Sequence, residues 1–551
     1  MTGKSLALTA SGRYQGAAGV PTDPRLTLAW TDALVPDVAV LSPYLPVHGD
    51  FALTSGGART KGRLEYTVKV LSGGLELAGE DIQGLVFGEP VEGRLDLGLV
   101  IPRADLAGGR LDLSGSSIRM QAAVAAGKGK GKGKQAAPAL VTELRFPLAQ
   151  LDSGLPWGDL GKRQARQTLE GRVKAEGKIA NIDILNRFVG GEHRLGFSGD
   201  GRLSADLRLR RGRLATGSSL EVRSERIATR FLDFEAWGGG VVKARISGKD
   251  ARPGGGVEVD LAHYQFRRLD EETPYIQGKR LEIKTRGARL DQDSVLRDLA
   301  TEITLWQAEI PDMRIYNRYL PKDSGLSVLS GKGELEGLLS LKGLTGGGDL
   351  VLSAKDVAVR IEDQTLKGDL RIHTRLRDGD LNAMTFDASG TSIRFDQGIL
   401  IRDQARAPQG AAVWWAEVDL QEGRMTWKQP LRLDASIGLR MRDSGLLVNL
   451  FVKPKENQDW LNDLLTIRNV SGKARIRMRD QAIDLQDARI DGEGMLVLAN
   501  ARLRDERVAG ELYAQYGVLS AGVELVGKET TWHLLNARAW FDQRGNGQDG
   551  D

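Results

Sequence analysis

The 551-residue chain contains no cysteine, which excludes disulfides, thiolate metal sites and a cysteine nucleophile. It has no run approaching the roughly 20 apolar residues of a membrane-spanning helix. The opening segment Met1-Thr2-Gly3-Lys4-Ser5-Leu6-Ala7-Leu8 lacks the apolar core, about seven residues or more, of a secretory signal. Aromatics are scarce at 6%, without the paired girdles of a membrane barrel. A large charge of one sign is also missing. The 77 Lys and Arg against 73 Asp and Glu leave +4, so charge argues against nucleic acid as a partner.

Glycine is abundant instead, at 69 residues, about twice its usual ~7% share. An interior glycine costs a helix about 1 kcal/mol relative to alanine, so a helical bundle is excluded, and no Gly-x-y period signals collagen. With 41% hydrophobic and 27% charged residues the chain can bury a core, and its length allows three to four domain-sized units.

Alternation with a period of two runs through most of the chain. Leu64, Tyr66, Val68 and Val70 interleave with Arg63, Glu65, Thr67 and Lys69. Leu95, Leu97, Leu99 and Ile101 form another row, Leu207 and Leu209 sit between arginines, and Leu370, Ile372, Thr374 and Leu376 repeat the pattern. One apolar and one charged face identify half-buried antiparallel strands. Gly73-Gly74, Gly108-Gly109, Asp378-Gly379-Asp380 and Arg442-Asp443-Ser444-Gly445 read as hairpin connections, which assigns most of the glycine to turns and predicts on the order of forty short strands. The segment 122–138, with its Gly-Lys alternation from Gly127 to Lys134, reads as a flexible loop inserted in a hairpin; the spacing of a Walker loop is not met. Residues 546–551 read as a disordered tail.

A four-fold repeat underlies the pattern. An apolar segment ending in an aromatic and an aliphatic residue recurs at Val40–Leu45, Ile184–Val189, Ile315–Leu320 and Leu447–Val452, each followed by a Ser-Gly step. The serines are Ser55, Ser198, Ser330 and Ser471, so the steps are 143, 132 and 141 residues. The aromatics Tyr44, Phe188, Tyr319 and Phe451 precede them by 11, 10, 11 and 20 residues. Each copy predicts a helical turn, a loop and a run of strands, with Asp183 and Asp312 placed as N-caps and the aromatic at a corner that buttresses the sheet. The quasi-repeats span about 38–175, 176–308, 309–440 and 441–545 of one continuous β structure.

No catalytic constellation emerges. His48, His193, His263, His373 and His533 stand far apart and lack metal-ligand spacing, so no metal or other cofactor is expected. There is no Gly-x-Ser-x-Gly elbow. Asp291-Gln292-Asp293 begins like a calcium loop, but Val295 takes the next ligand position. Arg267 to Glu272 reads as a solvated charged turn, and Trp414-Trp415 as a strand pair with one ring on each face.

Many strands with one apolar face need a cover, and helical patterns are too few to supply one. The expected architecture is therefore mostly β: an elongated, curled antiparallel sheet with a few short amphipathic helices, its groove lined by apolar side chains. Leu95, Leu97, Leu99, Ile101, Leu207, Leu209, Ile372 and Leu376 are the candidates to contact an acyl lipid. The row of Gly-punctuated strands, with copies such as Tyr319-Leu320-Pro321 followed by Gly325 to Leu335, resembles the AsmA-like proteins of Gram-negative envelopes, which include the TamB and YhdP groups. The resemblance spans about residues 20–540. It implies a taco-shaped β-groove in the periplasm, held to the inner membrane by an N-terminal segment that this chain lacks. It further implies a non-enzymatic role in carrying phospholipid or another acyl lipid between inner- and outer-membrane components. A scaffold that adds strands to outer-membrane protein precursors is the alternative; a carbohydrate-active β protein would need an acidic and aromatic cluster that the residues do not show.

Overall fold

The computed structural model describes residues 2–13, 24–44, 51–86, 89–124, 140–156, 168–189, 195–249, 252–290, 296–322, 325–361, 364–401, 414–444, 467–504, 507–527 and 529–545. Most of the Gly-Lys loop, the calcium-like segment at Asp291, the fourth repeat corner with Phe451, and the tail from 546 lie outside them. Ala122–Val124, read as the start of that loop, instead end the strand Ser116–Val124.

Among the described residues the fold is mostly β, 77% strand and 6% helix, with 31 strands in one antiparallel sheet. Two compact units are distinguished: Met1–Ala262 with Ile283–Leu299, and His263–Glu282 with Ala300–Asp551. In the first, pairing runs in chain order from Thr2–Ser11 through Arg25–Val35, Ala58–Thr67, Val70–Val86 and Glu89–Asp105, and the same meander continues through Glu170–Ile179, Gly201–Arg210 and Ser219–Phe231 to Phe234–Lys249. In the second, Leu326–Lys342, Thr345–Ile361 and Gln364–Asp380 begin a meander that ends at Glu529–His533.

The strands are fewer and longer than the glycine spacing predicts, because many glycines lie within strands and not between them. Gly73-Gly74 sits inside the 17-residue strand Val70–Val86, and the hairpin turn falls at Val68-Lys69, both with positive φ. Leu64 and Val70 therefore lie on successive strands, with Leu64 opposite Gly73. Asp378-Gly379-Asp380 likewise ends the strand Gln364–Asp380, and the chain reverses after it. Gly108-Gly109 does form a turn, with φ of 79° at Gly109. What the mid-strand glycines provide is room for an aromatic ring. A Cβ at Gly62 would lie 2.5 Å from the Trp30 indole, one at Gly368 2.5 Å from Phe395, one at Gly379 2.3 Å from Phe386, and one at Gly398 2.6 Å from Trp414. These four rings thus lie over bare backbone on neighbouring strands, recovering contact area that a strand glycine forfeits.

Alternation places the core. In the first unit Val35, Val38, Ala58, Leu77, Ile82 and Leu95 form one buried cluster, extended by Leu75, Leu97, Ile118 and Met120 from adjacent strands. In the second, Leu376, Phe386, Leu420, Met425, Ala435 and Ile437 form another. Val222 and Val242 stand opposite each other on adjacent strands and are both 0% exposed. The opposite face carries charge ladders: Arg394 reaches Asp396 at 2.8 Å and Glu417 at 3.5 Å, and Arg440 reaches Glu417 at 3.2 Å and Asp419 at 3.4 Å.

At the C-terminal end of the second unit the helix Ala537–Gly545 covers the charged face. Phe541 packs with Tyr513, and Trp540 stacks on His533 at 4.2 Å. This buries Glu511 directly opposite Glu524. Burial pushes the Glu511 carboxyl above its ordinary range, with the nearby Arg544 opposing the shift and the Glu524 charge adding to it. A raised carboxyl contributes stability that is complete below its unfolded value of about 4.3 and is lost as pH rises through the folded value. Glu511→Gln is accordingly expected to raise stability at neutral pH by about 0.5–1 kcal/mol and to flatten the pH dependence above pH 4, as read by chemical denaturation. A neutral or destabilising result would contradict the burial of Glu511 opposite a like charge.

Candidate functional site: the apolar face and its corners

Three described copies of the repeat corner share one construction. A short helical turn starts after an Asx cap: Asp37 Oδ1 accepts from the Ala39 N–H at 2.9 Å, Asn181 Oδ1 from Asp183 at 2.8 Å, and Asp312 Oδ1 from Arg314 at 2.9 Å. The cap of the second copy is therefore Asn181. Asp183 stands two residues inside, where its N–H is the donor. The next residue, Val38, Ile182 or Met313, is fully buried.

The Ser-Gly steps take their role from this geometry. Gly56, Gly199 and Gly331 have φ of 121°, 128° and 139°, a region that disfavours a Cβ. Each opposes a register shift on the neighbouring strand, and the residue after each shift, Ile82, Ile227 or Val357, packs against the glycine. The Val38 N–H donates to Gly56 O at 2.8 Å and the Ile182 N–H to Gly199 O at 3.0 Å, while Met313 lies against Gly331. A β-bulge thus bends the strand around the buried head of each turn. In the fourth copy Gly472 lies within the strand Arg468–Arg479 and is not among the positive-φ glycines.

A side chain that sequence reading passed over closes the corner. The Phe197 N–H donates to Asn186 Oδ1 at 2.6 Å, and Asn186 Nδ2 donates to Phe197 O at 3.1 Å. Asn317 does the same with Val328, 11 residues on, at 2.6 and 2.9 Å. The amide mimics a strand, satisfying a backbone donor and acceptor that would otherwise lack partners. The signal was present: asparagine occupies this position in three copies, at Asn186, Asn317 and Asn449, with Ser42 in the first.

Of the corner aromatics, Tyr319 is described. Its ring meets Trp427 edge-on at 6.3 Å and Tyr316 at 6.1 Å, and its carbonyl accepts from the Leu431 N–H at 2.9 Å. The adjacent Arg318 pairs with Glu271 and lies 5.5 Å over Tyr275, whose phenol is pushed upward by burial. The turn after Arg267 is therefore docked on the corner, and Arg267 Nη1 donates to the carbonyls of Glu271 and Glu272. The side chains of Tyr44 and Phe188, and Phe451 as a whole, lie outside the described residues.

The apolar-row candidates divide by burial. Leu95, Ile101 and Leu376 are 8%, 7% and 4% exposed, their surfaces already taken up by packing. Leu97, Leu99, Leu207, Leu209 and Ile372 are half-buried. Leu97 stands between Leu77 and Ile118 on the flanking strands, and Ile372 between Leu352 and Ile393. Leu207 borders a narrow apolar crevice with Leu214, Leu220, Ala244, Ile246 and Val257. The structure places these residues in separate local rows rather than one cluster. Among the described residues no group of three or more His, Asp or Glu is arranged to hold a metal ion, and no helix is long and apolar enough to cross a membrane. Comparison with family models, curated proteins and solved structures gives no match.

Proposed function

We propose that the chain shields acyl chains of phospholipid or a similar lipid along the apolar face of its sheet, as a non-enzymatic carrier in the periplasm serving outer-membrane biogenesis. The observation that carries the reading is the set of half-buried aliphatic rows. Leu97, Leu99, Leu207, Leu209 and Ile372 project on the apolar face with surface left over after the sheet has packed on itself. Such a surface stays unfavourable in water until something apolar completes it. The gain is substantial. At about 0.8 kcal/mol per methylene, a sixteen-carbon chain kept from water is worth on the order of 10 kcal/mol, so apolar rows that cover it remove most of the barrier to moving it between membranes. Direction and energy input come from partners at the two membranes. The resemblance to AsmA-like proteins supports the location.

Neighbouring residues on opposite faces supply the test. Ile372→Glu places a charge on the apolar face, whereas Arg371→Glu changes charge at an exposed position beside it. Mass spectrometry of the purified full chain is expected to find co-purifying phospholipid, lost in Ile372→Glu and retained in Arg371→Glu, with unchanged circular dichroism in both. Lipid-free protein with an intact fold would sink this reading. It would favour the strand-adding scaffold, for which the strand Thr2–Ser11 is the relevant feature: among the described residues it pairs on one side, with Arg25–Val35.

A further inference from the structure

On the charged face of the first unit, one cleft departs from the balanced ladders elsewhere. It has a volume of about 410 Å³ and lies over three adjacent strand segments. One flank carries Lys243 and Arg245, the other Lys284 and Arg286, and the segment between them is Gly254-Gly255-Gly256 followed by Glu258. Alternation puts all four cations on the same side, since Val242, Ala244 and Ile246 on one strand and Leu281, Ile283 and Thr285 on the other are buried on the opposite face. Close backbone approaches set the strand order: Gly240 lies against Asp260 and Leu261, and Gly254 and Gly256 against residues 285–288.

Two glycines in register leave a trough where side chains would stand. Its basic walls are two strand spacings apart, about 10 Å, which suits one tetrahedral phosphate held from both sides at contacts of about 2.8 Å. Several arginines elsewhere in this unit are matched, as in Arg172 with Asp206 at 2.6 Å and Arg94 with Asp96 at 2.9 Å. Here, among the described residues, Lys243, Arg245 and Arg286 form no ion pair. Glu221, the cross-strand partner of Lys243, is held by Arg223 at 2.7 Å. Among the described residues Glu258 is the one carboxylate lining the cleft. Like charges this close, among them the unpaired Lys243, Arg245 and Arg286, repel one another, and an anion of matching size relieves that repulsion.

We propose that this glycine-floored cleft binds a phosphate group, with Lys243, Arg245, Lys284 and Arg286 as its ligands, Ser247 at its margin and Glu258 as the opposing charge that limits affinity. The phosphate belongs either to a soluble ester or to a lipid headgroup at a membrane surface; both present the same oxygens. The four cations lie on the face opposite the apolar rows, although the crevice beside Leu207 shares Arg245 and Gly256 with the cleft.

Two probes on the full chain separate the sources: inorganic phosphate by calorimetric titration, and flotation with phosphatidylcholine vesicles containing phosphatidic acid, against phosphatidylcholine alone. Salt-sensitive binding of free phosphate supports the site with a soluble source; binding to the acidic vesicles alone supports it with a headgroup source. In either arm, Arg245→Gln with Arg286→Gln is expected to weaken binding about ten-fold or more, a charge-assisted contact being lost on each wall. Glu258→Gln is expected to strengthen it several-fold. Because these two changes act in opposite directions, a folding defect cannot imitate the pattern. Binding to neither probe, binding indifferent to the arginine pair, or weaker binding in Glu258→Gln overturns the proposal.

Discussion

Gly199→Val is expected to destabilise the first unit by about 3 kcal/mol or more, the sum of an unfavourable backbone region and an overpacked contact. The φ of 128° is one a β-branched residue avoids, and a Cβ there would stand 2.5 Å from the Arg226 carbonyl oxygen. That oxygen is backbone and cannot swing aside. Moving residue 199 away would also break the hydrogen bond from the Ile182 N–H that ties the helical turn to the bulge. Gly154→Ala is the matched control, because it too has a positive φ, of 63°, but nothing lies within 4 Å of its Cβ position. That change is expected to cost only about 1 kcal/mol. Hydrogen exchange of the strands flanking each site reads both. Equal costs would show that backbone conformation alone, and not the corner contact, selects glycine at the Ser-Gly step.

The second large effect separates two adjacent tryptophans. Trp414 is 7% exposed, packs with Leu366, Met441 and Val470, and donates its indole N–H to the Asp443 carbonyl at 2.8 Å. Trp414→Ala is expected to cost about 3–5 kcal/mol, as the truncation of a large core aromatic does. Trp415 points to the other face, where its ring lies 5.1 Å from the Arg394 guanidinium. Trp415→Ala forfeits that cation–π contact and is expected to cost about 1 kcal/mol or less. Chemical denaturation followed by circular dichroism measures both; similar losses would contradict the placement of the two rings on opposite faces.

Strand character and face were legible in the residues because alternation is local. Leu95 and Leu97 against Arg94 and Asp96, or Trp414 against Trp415, are sorted by the two-residue repeat of a pleated strand, whatever else the chain does. Strand length was not legible. A glycine that turns the chain and one that lets a ring lie on the backbone are the same letter, so Gly73 and Gly379 read as turns until Leu64 and Phe386 were seen across from them. The corner was half legible. Its recurrence was visible, but the division of roles within it was not, since the Asn186 clamp and the Gly199 bulge act on partners brought near only by folding.

Composition and periodicity alone thus settled a glycine-rich, mostly β chain with one apolar and one charged face, because those properties depend on neighbours in sequence. Register decided the rest. Which aliphatics are used up in packing, as Leu95 and Leu376 are, and which keep surface, as Leu209 and Ile372 do, depends on what stands on the adjoining strands. The same holds for the four cations around Gly254 and Gly256. They come from strand segments about 40 residues apart in the chain, and their positions in sequence say nothing of their shared cleft until antiparallel pairing sets them on either side of the glycines.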